Sequence, residues 1–67
     1  MKIRVNGEDR EISEGSTVQQ LLETLGVNPL MVAVELNVDI LSRGQYSSAL
    51  LKEGDQVEIV HMVGGGA

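Results

Sequence analysis

The stretch Thr17–Gly26, TVQQLLETLG, decides how the rest of the chain must be arranged. Val18, Leu21, Leu22 and Leu25 fall at i, i+3, i+4 and i+7, which lines one face of an α-helix with apolar side chains. Gln19, Gln20, Glu23 and Thr24 take the polar face. Thr17 is placed to cap the N-terminus, and Gln20 three residues on completes a capping box. Gly26 stands where a left-handed C-terminal cap belongs, and Pro29 prevents continuation. A single amphipathic helix cannot bury its stripe alone, and the sequence on both sides of it has period two.

Upstream, Lys2–Asn6 alternates, with Ile3 and Val5 on one face and Lys2 and Arg4 on the other, the pattern of a half-buried strand. Asn6-Gly7 is a strong hairpin signal, because both residues tolerate positive φ. Asp9–Ile12 then returns antiparallel and brings Ile12 to the face of Ile3 and Val5, across a loop of two or four residues. Downstream, Val32, Val34 and Leu36 form the inner set of another strand. A short strand at 39–41 follows an Asn37-Val38 turn. Residues 42–55 are polar and irregular, with one helical turn expected near 47–51. Glu53-Gly54-Asp55 marks a tight turn before the last strand, in which Val57 and Ile59 face inward. The order predicts an α+β domain, one helix packed on one face of a mixed sheet of four to five strands.

Sixty-seven residues allow one small domain. At that size only about 60% of the unfolded surface is buried, so the core is thin. There is no cysteine, which removes disulfides, thiolate metal sites and cysteine nucleophiles together. The apolar share of 42% opposes disorder, and Tyr46 is the sole aromatic. A formal charge of -5 makes nucleic acid an unfavourable partner and suits attraction to a basic protein surface. The opening residues lack an apolar signal region and no run is long enough to span a membrane, so the cytoplasm is the expected location.

The residues offer little for catalysis. His61 is the one histidine, and no motif surrounds Ser13, Ser16, Ser42, Ser47 or Ser48 that would make one of them its triad partner. A partly exposed strand histidine is the plain reading. Glu53, Asp55 and Glu58 lack the oxygen spacing of a calcium loop and read as a solvated turn. No catalytic residue and no metal site is expected.

The end of the chain is more informative. With Val57 and Ile59 inward, Glu58, Val60 and Met62 point to the opposite face of the sheet. An exposed Val60–Met62 pair beside a charged rim suits a docking surface, and methionine adapts readily to a partner. The competing reading is that the irregular segment covers the pair through Leu50 or Leu51. Gly64, Gly65 and Gly66 are followed by Ala67. Such a strip fits a frayed terminus or an added extension. It also fits a peptide slim enough to thread a narrow channel in another protein. What it would deliver there is an α-carboxylate, a group that titrates near about 3.5 and is ionised at neutral pH. That anion resists nucleophiles, so it needs activation, most simply by adenylation.

Taken together, KIRVNGEDREI opening into TVQQLLETLG, then VAVELN, then LKEGDQVEIVHMVGGG, resemble the ThiS branch of the ubiquitin-like sulfur carriers of thiamine biosynthesis. The resemblance covers nearly the whole chain, and the last strand running into glycines is its most specific part. It implies a β-grasp domain at 1–63 with a flexible glycine tail at 64–67. It also implies a carrier rather than an enzyme, with no bound cofactor. An E1-like adenylating enzyme would use ATP and magnesium to form an acyl-adenylate on Gly66, and sulfur from a cysteine desulfurase pathway would convert this to a thiocarboxylate. Thiazole synthase would then take the sulfur. Val60 and Met62 would belong to the docking face, and Gly64 and Gly65 to the tail of a protein monomeric on its own. Two departures stand out. Ala67 follows where such chains end on glycine, so it is trimmed, not native, or itself adenylated. Tyr46 stands where relatives often carry tryptophan, which retains an aromatic anchor. The small subunit of molybdopterin synthase shares the fold and tail chemistry, but such chains usually run longer with more aromatics. A ubiquitin-like protein modifier and a plain interaction module with an idle tail are further alternatives.

Overall fold

The computed structural model describes residues 1–62. Strand β1 (Lys2–Val5) and strand β2 (Glu8–Glu11) form the first hairpin, and helix α1 spans Val18–Leu25. Strands β3 (Val32–Leu36), β4 (Asp39–Leu41) and β5 (Gln56–His61) complete a five-stranded sheet of order β2-β1-β5-β3-β4. The last strand thus lies in the middle, parallel to β1 and antiparallel to β3. No helix among the described residues is long and apolar enough to cross a membrane.

Local chemistry explains the helix ends. Thr17 Oγ1 accepts from the Gln20 N–H at 3.2 Å, and Gln20 Oε1 accepts from the Thr17 N–H at 2.9 Å. Gly26 takes φ 70°, and its N–H reaches back to the Glu23 carbonyl. The first hairpin closes through the two-residue loop Asn6-Gly7, with φ 52° and 82° and Val5 opposite Glu8. Both signs are positive because the mirror-image turn is the one that matches strand twist.

The apolar stripe of α1 packs on one face of the sheet. Val18, Leu21 and Leu22 meet Ile3, Val5, Val32, Val34, Val57 and Ile59, with Leu25, Leu36 and Ile12 at the margin. Complete burial of a side chain such as Leu22 contributes about 1.5–3 kcal/mol relative to exposure.

The irregular segment differs from its sequence reading. The helical turn is a 3-10 turn at Arg43–Gln45, not at 47–51, held by Gln45 Oε1 accepting from the Ser42 N–H at 2.8 Å. That placement lets Tyr46 and Leu51 enter the core, at 2% and 3% exposure. Pro29 also does more than stop the helix, since it opens a short 3-10 turn, Pro29–Met31, capped by Asn28. The domain boundary expected after 63 and the tail at 64–67 lie outside the described residues.

Candidate functional site

Among the described residues no element packs on the face of the sheet away from α1. On β5, Val57 and Ile59 are buried while Glu58, Val60 and His61 are exposed. Val60 is 55% exposed and Met62 39%. The irregular segment does not cover them: Leu51 is in the core on the other face, and Leu50 pairs with Thr17 beside the helix.

Strand pairing builds a surface around the two residues. Ala33 stands opposite Val60, and the Met31 carbonyl accepts from the Met62 N–H at 2.9 Å. Next along the sheet, Glu35 is directly opposite Glu58, and Ile40 opposite Glu35, itself 76% exposed. The result is an apolar patch bordered by an acidic pair. Like charges placed opposite one another work against the sheet, so this border does not serve folding.

Two of the three carboxylates weighed as cation ligands, Glu53 and Asp55, are engaged elsewhere. Glu53 Oε1 accepts from the Lys2 N–H at 2.9 Å, and Asp55 accepts from the Lys52 N–H at 2.8 Å and from Asn37 Nδ2 at 3.0 Å. They hold the turn into β5. Among the described residues no group of three metal-ligating side chains converges. His61 lies on the α1 side of β5, exposed at the strand's end.

One participant was not read from sequence beyond its role in a turn. Asn6 Oδ1 accepts from the Ile59 N–H at 2.7 Å, and Asn6 Nδ2 donates to the Ile59 carbonyl at 3.2 Å. The main chain of Asn6 also donates to the Val57 carbonyl at 2.9 Å. Strand β1 ends at Val5, yet the Asn6 carboxamide supplies one more rung of the parallel ladder and anchors the strand that leads to the glycines. On the other side of β5, Asn37 acts similarly, accepting from the Gln56 N–H at 2.9 Å. A short polar residue at positive φ was the only signal for either contact.

A central last strand, a helix grasped by a mixed sheet and an open apolar face beside the chain's end define the β-grasp, ubiquitin-like class. The chain belongs to the ThiS family, whose model matches residues 3–66. The crystal structure of the thiamine biosynthesis protein ThiS from Geobacter metallireducens superposes with a TM-score of 0.86 at 36% identity, covering 98% of this chain and 100% of that one. The sulfur carrier protein ThiS of Bacillus subtilis is 35% identical over 65 residues, 96% of this chain and 98% of the relative. A thiazole synthase of Magnetococcus marinus is 48% identical over 66 residues. This chain spans about a fifth of the length of that thiazole synthase and of a second one from Paramagnetospirillum magneticum.

Proposed function

We propose that this chain carries sulfur as a C-terminal thiocarboxylate for thiazole formation in thiamine biosynthesis. The observation that carries the reading is the extent of the family match, which runs through the glycines and stops at Gly66. Gly66 is the acyl carrier, reached after loss of Ala67 where that residue is native, and Gly64 and Gly65 form the slim approach to it. An E1-like adenylating enzyme, using ATP and magnesium, docks on the face around Val60 and Met62 and activates the Gly66 carboxylate. Sulfur from a cysteine desulfurase pathway displaces AMP and leaves the thiocarboxylate. Thiazole synthase accepts that sulfur, a partner supported by the ThiS-like segment within two thiazole synthases. The carrier itself binds no cofactor, contributes no catalytic residue, and works as a monomer in the cytoplasm.

The test is intact-mass measurement after incubation with the adenylating enzyme, ATP and a sulfur source. A chain ending on Gly66 should gain the mass difference between sulfur and oxygen, and the full-length chain should not react. Failure of both forms, or appearance of lysine-linked conjugates, would sink the carrier reading. Delivery of sulfur to molybdopterin synthase instead of thiazole synthase would reassign the acceptor.

A further inference from the structure

Strand β5 is interior to the sheet, yet one side of it is incomplete at its end. Its even-numbered residues pair with β3 and the segment before it, as the bonds of Gln56 to Asn37 and of Met62 to Met31 show. The odd-numbered residues face β1. Val57 is bonded by the Asn6 N–H, and Ile59 has both main-chain groups taken by the Asn6 carboxamide. His61 is the next rung. Strand β1 has already turned away, and among the described residues no backbone group pairs with the side of His61 that faces β1.

The vacant rung opens into a notch of about 280 Å³ between the first hairpin and the end of α1. Leu25, Val27 and Ile59 provide its apolar wall, and Glu8 and Arg10 of β2 its charged rim. Main-chain groups at a free ladder position select an extended peptide. The apolar wall suits one side chain of that peptide.

We propose that thiazole synthase seats an extended segment of its own chain in this notch, pairing with the N–H and carbonyl of His61. The inference rests on the carrier reading above and adds a second contact surface to it. The ThiS-like segment carried within two thiazole synthases identifies the occupant, and reach places it. Gly66 is the fourth residue after Met62, and four extended residues span at most about 14 Å. An enzyme that receives sulfur from Gly66 must therefore stand close to the end of β5. The notch lies at that end and on the α1 side, apart from the Val60–Met62 face assigned to the adenylating enzyme. An added rung there fixes the direction in which the chain leaves the sheet.

His61→Pro is the discriminating variant. Its lost N–H serves no strand among the described residues, and proline is tolerated in sheets where the N–H faces away from a partner strand. Thiazole synthase should bind the thiocarboxylated His61→Pro chain at least about tenfold more weakly, the effect of losing a main-chain hydrogen bond and the fit around it. His61→Ala keeps the N–H and should bind as the wild type does. In the wild-type complex the His61 amide should also exchange with solvent more slowly than in the free chain, a readout independent of whether the proline variant folds. Equal binding by His61→Pro, an equal loss in His61→Ala, or unchanged exchange at His61 would each overturn the proposal. If the wild-type chain fails to bind thiazole synthase at all, the assignment of thiazole synthase as acceptor falls with the notch, whereas wild-type binding indifferent to His61→Pro removes only the notch.

Discussion

Val38 shows how much one residue can reveal. It sits at φ 67° in the Asn37-Val38 turn and is 88% exposed. The left-handed region brings Cβ against the following carbonyl, a strain of roughly 1–2 kcal/mol for an ordinary residue and worse for a β-branched one. Glycine avoids that clash but leaves a more flexible unfolded chain. The net expectation for Val38→Gly is a gain of about 1 kcal/mol, read as a higher urea midpoint with unchanged slope. A lower midpoint would mean that the valine side chain makes a contact worth more than its strain. Asn6 and Asn37 occupy the same region at φ 52° and 51° without such a conflict, since asparagine enters it readily and each carboxamide gains partners on β5. Both turns were legible as turns. The reach of Asn6 across 53 positions to Ile59 was not, because a hydrogen bond between distant segments leaves no local pattern.

At the scale of elements, hydrophobic period was a sound guide wherever an element had one solvated side. Helix α1, with its capping box and glycine cap, is formed as its spacing indicates. Strands β1, β3, β4 and β5 follow too, as does the inward set of Val57 and Ile59. Strand β2 was recognised from the Asn-Gly turn more than from its own residues, all of which are exposed at the sheet edge. The irregular segment was the least readable. Its 3-10 turn lies earlier than expected, because the burial of Tyr46 and Leu51 sets its path and that burial is a tertiary matter. Between β3 and β5, the facing Glu35 and Glu58 invite a direct measurement. Glu58→Lys should convert repulsion into a cross-strand ion pair and raise stability by about 0.2–1 kcal/mol. Thermal unfolding at low salt reads this, and the gain should shrink as salt is added. No gain at low salt would show that the two carboxylates do not sense one another.

At the scale of the whole molecule, helix α1 occupies one face of the sheet, and among the described residues nothing packs on the other, the proposed docking face. Met62→Asp tests that division. The residue is 39% exposed and outside the core cluster, so folding should be little changed while affinity for the proposed adenylating partner falls by about tenfold or more, as for loss of an apolar anchor at an interface. Titration calorimetry reads the affinity, and an unchanged value would remove Met62 from the docking face.

Composition and period by themselves determined the class of fold and the inward residues of α1, β1, β3 and β5. These are local properties: side-chain alternation, helical spacing and turn geometry are all written within a few neighbouring positions. The order of the strands, the exposure of Val60 and Met62, the placement of Tyr46 and a rung at His61 unfilled among the described residues were decided only by tertiary structure. Each depends on which distant segment lies alongside β5, and that choice is made by the joint burial of apolar side chains across the whole domain.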